Sequence, residues 1–299
     1  MPLIVRPVFD DFEFAAEIGG VTLADALSVA DRQRIREAFV RYPVLIFCDQ
    51  TLSNEQHLAF AQIFGDLETF SIARAEDKRP LPPGLADVSN LEADGSLWPA
   101  DSRRRNYMLK GNAMWHTDST YKPLPASVSA LYARAVPPTG GQLHFADMRA
   151  AYDALPASTK HLLHKRVGLH SIMTSRAKAG FADFSDEEKT TFKSQPQALV
   201  RHLKDSGRRC LFLASHLGEV VGMPKEESAA LITELTAHAT QRQFQYSHRW
   251  RERDLVIWDN RCTMHRLAFW DDLQFPFDIR RATISDVAPT CEQEDIATA

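Results

Sequence analysis

The chain has 299 residues, 44% of them hydrophobic and 25% charged, which is the composition of an ordinary globular protein. Its formal net charge of −4 provides no basic surface for nucleic acid, and no apolar run approaches the roughly 18 residues that a membrane span needs. The four cysteines are widely spaced and include no Cys-x-x-Cys pair. Because the N-terminus also lacks the features of a signal peptide, reduced thiols and a cytoplasmic location are expected, rather than a disulfide framework or a zinc knuckle.

The N-terminal third predicts two helices around one strand. Ser28 is a candidate cap for the first helix, because apolar residues follow it at helical spacing. Residues 43–47 form an apolar run that predicts a short buried strand. Ser53 and Gln56 have the spacing of a capping box, and Gly65 is suited to end the helix that they open.

The segment 70–112 is polar and is interrupted by several prolines and glycines. A loop-rich stretch of this length is uncommon in a compact domain unless it is functional. It directly precedes a histidine–aspartate pair, which favours an active-site lid loop; a surface loop without a role is the alternative. The basic cluster 103–105 is expected to lie in a solvated part of this loop.

The rest of the chain predicts many short strands with helices between them. The predicted strands cover residues 127–136, 142–145, 167–173, 198–202, 210–214, 244–250, 255–258 and 280–285, and the predicted helices cover 148–155 and 224–239. Pro156 suits the first turn of a further helix. This pattern predicts a mixed α/β protein with a β core, either a β-sandwich or a jelly roll with helical insertions. No repeat or low-complexity linker divides the chain, so a single domain over residues 1–299 is expected.

Two histidines and one aspartate are the candidate metal ligands. His116 and Asp118 are two residues apart, and on a strand such residues point to the same side. His265 could complete the site from a distant strand. Two neutral imidazoles and one carboxylate on one face of Fe(II) leave positions open for oxygen and a substrate. A His-x-Asp tripeptide alone is weak support, because it often arises by chance.

Five segments together carry a resemblance to a known family. They read Trp-His-Thr-Asp-Ser at 115–119, Pro-Pro-Thr-Gly-Gly at 137–141, Ala-Asp-Met-Arg-Ala-Ala-Tyr-Asp-Ala-Leu-Pro at 146–156, Trp-Asp-Asn-Arg at 258–261 and Arg-Ala-Thr at 281–283. These segments resemble the taurine dioxygenase and 2,4-dichlorophenoxyacetate dioxygenase family, most closely its phenoxyacetate branch. The resemblance extends over nearly the whole chain.

The resemblance implies a double-stranded β-helix, a cupin-like jelly roll, that uses Fe(II), O2 and either 2-oxoglutarate or another 2-oxo acid. Decarboxylation of the 2-oxo acid would be coupled to oxidation of a small anionic substrate. His116, Asp118 and His265 correspond to the iron ligands of the family. Asn112 and Arg281 correspond to its substrate-binding residues, and a guanidinium group fits a carboxylate or a sulfonate bidentately. The resemblance also implies a homo-oligomer.

Two positions depart from the family pattern. Where the family has a threonine and an arginine that hold the distal carboxylate of 2-oxoglutarate, this chain has Leu143 and Phe277. Arg280 is expected on the opposite strand face, so it could serve instead only if the alignment slips by one residue. A buried carboxylate without a partner is costly. Weak or altered binding of 2-oxoglutarate is therefore expected.

Two alternatives to a 2-oxoglutarate-dependent enzyme follow from these departures. One is an Fe(II) oxygenase that uses an apolar 2-oxo acid or binds its substrate directly to the iron. The other is a non-catalytic homologue that binds a small acid. His202 and His216 lie in strand-like regions and are further candidates to line the cavity.

Overall fold

Helices and strands alternate along the chain in the computed structural model, which describes residues 3–68, 81–181, 184–185 and 192–293. The helices are α1 (Val29–Arg41), α2 (Asn54–Ala61), α3 (Arg103–Asn112), α4 (Met148–Asp153), α5 (Ala157–Leu163), α6 (Ile172–Lys178) and α7 (Lys225–Ala239). The strands are β1 (Ile4–Pro7), β2 (Ala15–Gly19), β3 (Val44–Phe47), β4 (Leu85–Ser89), β5 (Ala126–Ala135), β6 (Leu143–Asp147), β7 (Val167–His170), β8 (Gln195–Ala198), β9 (Val200–Leu203), β10 (Arg208–Leu211), β11 (Leu217–Val220), β12 (Gln245–His248), β13 (Leu255–Asp259), β14 (Thr263–Leu267) and β15 (Asp278–Ser285). No helix in these described ranges is both long and apolar enough to cross a membrane.

The largest layer is a seven-stranded sheet of order β1-β2-β3-β13-β5-β15-β4. Its strands run antiparallel except for the parallel pair β2 and β3. Successive side chains of a strand point to opposite faces. In β3, Leu45 and Phe47 pack with α1 and α2, whereas Val44 and Ile46 face the interior on the other side. The prediction of a mixed α/β fold with a β core is confirmed.

A three-stranded sheet of order β12-β6-β14 packs against the inner face of the large sheet. Its register places Phe145 opposite His265 and Leu143 opposite Leu267. Beyond it, α4 and α7 cover a second apolar cluster that includes Met264 of β14. The remaining strands form two small sheets, β11-β7-β8 and β10-β9. Strand β14 thus carries one predicted metal ligand into the space between the two main layers.

The helix caps and the helix-ending glycine predicted in the N-terminal third are confirmed. Ser28 caps α1 by accepting a hydrogen bond from the backbone N–H of Asp31 at 3.0 Å. Ser53 and Gln56 form the reciprocal capping box of α2, which continues as a short 3-10 helix. Gly65 then ends it with a φ of +146°, a backbone conformation that favours glycine.

The segment 70–112, predicted to be a lid loop, is not a loop along its whole length. Residues 70–80 lie outside the described residues. Beyond them, β4 pairs with β15 at the edge of the large sheet, and residues 103–112 form α3. The prediction of a solvated loop at 103–105 was wrong, because these arginines open a helix and Arg105 forms an ion pair with Asp272.

The strand predicted over residues 167–173 was too long. It ends at His170, and the hydroxyl of Ser171 accepts a hydrogen bond from the backbone N–H of Met173 to cap α6. The apolar residues at this junction fit either a strand or a helix, so hydrophobic periodicity alone did not locate the boundary between β7 and α6.

His57 makes the stability of the fold depend on pH. It lies on α2, is 1% exposed, and its Nε2 lies 3.1 Å from the carbonyl of Ala130. Burial lowers its pKa from 6.5 to about 4. Between these values the unfolded chain binds a proton that the folded chain does not, so the free energy of unfolding falls as pH decreases from about 6.5 to 4. We expect this residue to account for a loss of about 2 kcal/mol between pH 7 and pH 4.5, measurable by denaturant unfolding at these two pH values.

The matched variant is His57→Gln, because its amide can keep the hydrogen bond to Ala130 without titrating. Other buried histidines contribute equally to both proteins, so the difference between their pH slopes isolates His57. The variant should lose less stability between pH 7 and pH 4.5 than the wild type does. Equal losses would contradict the assignment.

Candidate metal centre and its cavity

The three predicted metal ligands meet at one point. His116 and His265 form an isolated antiparallel bridge: the N–H of His116 donates to the carbonyl of His265 at 3.0 Å, and the reverse bond is 2.8 Å. Asp118 Oδ1 lies 3.9 Å from His116 Nε2, and Asp118 Oδ2 lies 3.8 Å from His265 Nε2. All three ligand atoms lie within 4.8 Å of one another, and all three residues are buried. Atoms of these types at these distances can bind one divalent ion.

The sequence suggested that His116 and Asp118 lie on one strand, but in the structure they do not share a continuous strand. His116 pairs only at the bridge, and Asp118 lies in a turn held by side chains. Asp118 Oδ2 accepts a hydrogen bond from Ser129 Oγ at 2.6 Å, and its backbone N–H donates to Asn260 Oδ1 at 3.2 Å. Asn260 also donates to Ser129 Oγ at 2.9 Å and accepts from Trp258 Nε1 at 2.9 Å. This network explains the Trp-Asp-Asn motif, since it orients the carboxylate from a distant strand end.

The protonation states of the triad suit a divalent metal. Burial lowers the pKa of His116, and it lowers that of His265 well below the ordinary value, so both imidazoles are neutral. His116 Nδ1 lies 2.8 Å from the carbonyl of Met114, which leaves Nε2 facing the other ligands. Burial alone raises the pKa of the Asp118 carboxyl, but the Arg281 guanidinium and the hydrogen bond from Ser129 lower that pKa well below its ordinary value. A carboxylate and two neutral imidazoles are the forms that bind metal.

A cavity of about 400 Å³ opens beside the triad. Four further residues predicted from the sequence line it: Asn112, Leu143, Phe277 and Arg281. His216 lines the cavity as well, whereas His202 and Arg280 are not among its described lining residues. Asn112 is the last residue of α3 and is half-buried.

Arg281 is the cation next to the triad. Its Nη1 donates to Asp118 Oδ1 at 2.8 Å, and its side chain is 31% exposed. Its Nε is buried and has no hydrogen-bond partner among the described residues. The guanidinium therefore holds one oxygen of the ligand carboxylate and still has donors for an anion in the cavity.

Arg280 points away from the cavity, as strand alternation predicts. It is 2% exposed, and its Nη1 lies 2.8 Å from Asp87 Oδ1 and 2.8 Å from Asp278 Oδ1. Two carboxylates thus neutralise this buried guanidinium in place.

Several cavity residues were missed by sequence reasoning. Tyr107 on α3 and Arg176 on α6 meet across the cavity, where Arg176 Nε donates to the Tyr107 hydroxyl at 2.9 Å. Trp98 and Trp250 also line the cavity, and the indole N–H of each is buried without a hydrogen-bond partner among the described residues. Isolated tryptophans carry no spacing signal, and both helices lie in segments that were predicted as loop or strand.

Comparisons with known proteins agree with this site. The model of the taurine catabolism dioxygenase TauD, TfdA family matches residues 5–272. An alpha-ketoglutarate-dependent 2,4-dichlorophenoxyacetate dioxygenase of Cupriavidus pinatubonensis is 39% identical over 278 residues, which cover 92% of this chain and 96% of the relative. An (S)-phenoxypropionate/alpha-ketoglutarate-dioxygenase of Sphingobium herbicidovorans is 36% identical over 281 residues, with 90% and 93% covered.

Solved structures give the same result. The crystal structure of AAD-2 in complex with Mn(II) and N-oxalylglycine matches with a TM-score of 0.89 at 42% identity, and covers 98% of this chain and 100% of its own. A taurine dioxygenase from Burkholderia xenovorans matches with a TM-score of 0.74 at 28% identity, with 96% and 92% covered. These matches confirm the predicted family and the predicted enzyme class, an Fe(II)- and 2-oxo acid-dependent dioxygenase. The chain belongs to the taurine catabolism dioxygenase TauD, TfdA family.

Proposed function

We propose that His116, Asp118 and His265 hold Fe(II) in this chain, and that the cavity beside them binds a 2-oxo acid and a small anionic substrate that is oxidised with O2. The observation that carries the proposal is the buried triad, whose ligand atoms lie within 4.8 Å of one another. Two imidazole nitrogens and a carboxylate oxygen suit Fe(II) and leave positions for two further reactants. The metal and the 2-oxo acid supply the oxidising chemistry when they are bound.

The protein's own contribution is orientation and the exclusion of water. Ser129 holds the Asp118 carboxylate and Asn260 holds the backbone N–H of the same residue, so the ligand does not have to reorganise when metal binds. The ring of Trp258 lies 4.6 Å from that of His265 and is 1% exposed, which limits the rotation of the imidazole and keeps that side dry. A dry site strengthens each electrostatic contact made to the reactants.

The proposed substrate is a small carboxylic or sulfonic acid. Arg281 offers a planar cationic donor beside the triad, and Asn112 offers a neutral amide on the cavity wall. Relatives of this chain are named for 2,4-dichlorophenoxyacetate, for (S)-phenoxypropionate and, in Pseudomonas putida at 29% identity, for sulfate esters. Each of these compounds carries one anionic group, and a cavity of about 400 Å³ has room for a molecule of that size.

We assign the two packed sheets to a double-stranded β-helix, the jelly roll that the resemblance implies. The seven-stranded sheet and the β12-β6-β14 sheet enclose the metal ligands between them, which supports the assignment. A cytoplasmic location and a homo-oligomer stay predictions.

We also propose that the described part of segment 70–112 acts as a lid. Helix α3 places Tyr107, Met108 and Asn112 in the cavity wall, and none of its residues is fully buried. A helix that closes a cavity with so little buried surface is suited to open locally.

Oxygen uptake by the purified chain tests the proposal. Uptake should require Fe(II) and a 2-oxo acid together, and should increase when an aryloxy acid such as 2,4-dichlorophenoxyacetate or phenoxypropionate is added. Uptake with Fe(II) and the aryloxy acid alone would indicate direct binding of the substrate to iron. Binding of the acids without any uptake would indicate a non-catalytic homologue.

A further inference from the structure

The two ends of the cavity differ in chemistry. The helix end is formed by α3, α6 and the turn that begins at Asp118. It contains Arg103, Arg104, Tyr107, Asn112, Tyr121 and Arg176. The strand end is formed by the two sheets, and it contains Leu131, Leu143, Trp250, Trp258, Leu267 and Phe277. All six residues of the strand end belong to one apolar cluster and are at most 8% exposed.

The strand end begins directly at the metal ligands. Leu267 follows His265 by two residues on β14, so the two side chains share a strand face about 7 Å apart. Leu143 lies opposite Leu267 in the register of β6 and β14. A group that extends from the metal toward this end therefore enters apolar surroundings at once.

No lysine or arginine lines the strand end among the described residues. Phe277 directly precedes β15, and Arg281 points to the same side but lies four residues further on, about 13 Å away along an extended chain. Its guanidinium pairs with Asp118, and its charge acts to lower the pKa values of Tyr121 and Lys122, which lie at the end of the turn that begins at Asp118.

Arg280 does not supply a cation to the strand end either, because Asp87 and Asp278 hold it on the other face of β15. Asn90 fixes the backbone of the wall: its Oδ1 accepts from the N–H of Phe277 at 2.7 Å, and its Nδ2 donates to the carbonyl of Phe275 at 3.0 Å. The apolar wall is thereby held in position.

Each reactant then has an end that suits it. The cations of the helix end and Arg281 suit the anionic group of the substrate. The chelating atoms of a 2-oxo acid must lie at the metal. If the substrate's anionic group takes the cations of the helix end, the strand end is left for the side chain of the 2-oxo acid. A second carboxylate placed there would be buried without a charged partner.

We infer that the strand end of the cavity receives an uncharged, apolar side chain, so that this chain prefers a 2-oxo monocarboxylate over 2-oxoglutarate as co-oxidant. This inference rests on the proposed function. The reaction balances for any such acid: R–CO–CO2⁻ + O2 + S–H gives R–CO2⁻ + CO2 + S–OH. One oxygen atom enters each organic product, and the four electrons come from the C1–C2 bond of the oxo acid and the C–H bond of the substrate.

Calorimetric titration of the Mn(II)-loaded protein tests the preference without turnover. The two ligands to compare are 2-oxoglutarate and 4-methyl-2-oxopentanoate, because the second carries an uncharged isopropyl group in place of the terminal carboxymethyl group of the first. The monocarboxylate should bind more tightly by about tenfold or more. Equal affinities, or tighter binding of 2-oxoglutarate, would overturn the inference while leaving the proposed function intact.

Two controls separate the possible causes. The first is 4-methylpentanoate, which lacks the chelating 2-oxo group and should bind much more weakly; equally tight binding would mean that the strand end serves a simple acid, which overturns the inference. The second is the double variant Leu143→Thr with Phe277→Arg, which should reverse the preference by adding a hydroxyl and a cation to the wall. An unchanged preference in a folded double variant would overturn the inference. If that variant fails to fold, the affinities of the two oxo acids for the wild-type protein still test the inference.

Failure of the proposed function has a different signature. In that case Mn(II) itself does not bind, or neither oxo acid binds to the loaded protein, and the inference falls with it.

Discussion

Replacing His265 with alanine is expected to abolish metal binding and oxygen uptake together. The substitution removes one of three ligands, and no described histidine, cysteine or carboxylate outside the triad joins this cluster to replace it. Loss of a residue that only supports a ligand already costs roughly ten- to a hundredfold in affinity or activity. Loss of the ligand itself should cost more than about a hundredfold. Iron content after reconstitution and oxygen uptake are the two measurements.

His144→Ala is the matched control. His144 lies on β6 next to β14, opposite Arg266 in the register, and its ring contacts Ser247 rather than the cavity. This variant should keep its iron and its activity. If His265→Ala retained stoichiometric iron and full turnover, the triad would not be the metal site.

Replacing Arg281 with alanine is expected to have the second-largest effect. A guanidinium that pairs with a desolvated anion contributes about 2–5 kcal/mol to binding, so kcat/KM for an acidic substrate should fall by about 30- to 5,000-fold. Phenoxyacetate and phenoxyacetamide are a suitable pair of substrates for the measurement. In the wild type, kcat/KM should be much higher for the acid than for the amide. In the variant, the two values should be similar.

The contact between Arg281 and Asp118 requires a separate measurement of metal content. Removing the guanidinium removes the cation that most lowers the pKa of the Asp118 carboxyl, so a proton competes better with the metal and metal binding should weaken first at low pH. Assays of the variant therefore belong near pH 7 with saturating Fe(II). Equal discrimination between acid and amide in the wild type and the variant would exclude a contact between Arg281 and the substrate. Arg281→Lys keeps the charge but loses the planar fork, and should recover only part of the discrimination.

Features with local causes were predicted from the sequence. The caps at Ser28 and Ser53 depend on bonds within four residues, and the buried strand after Tyr42 depends on a run of apolar side chains. The opposite directions of Phe277 and Arg280 follow from the two-residue period of a strand. The candidate ligand pair His116 and Asp118 was found because its two members are adjacent in the chain.

Helix α3 could not be predicted in this way. Its sequence, Arg-Arg-Arg-Asn-Tyr-Met-Leu-Lys-Gly-Asn, has no wide apolar face, and the helix has no fully buried residue. What holds it comes from far along the chain: Arg105 pairs with Asp272, and the hydroxyl of Tyr107 accepts from Arg176. Such contacts stabilise a helix that hydrophobic periodicity does not reveal.

The sequence by itself therefore determined the family, the ligand types and the face on which each residue of β15 points. Only the tertiary structure decided that a hydrogen-bonded bridge joins His116 to His265, that Ser129 and Asn260 orient Asp118, and that Trp250 joins Leu143 and Phe277 in one apolar wall. The physical reason is the same in each case. Periodicity predicts on which face of its own helix or strand a side chain lies. Contacts between residues that are tens to hundreds of positions apart depend instead on sheet register and on the packing of layers.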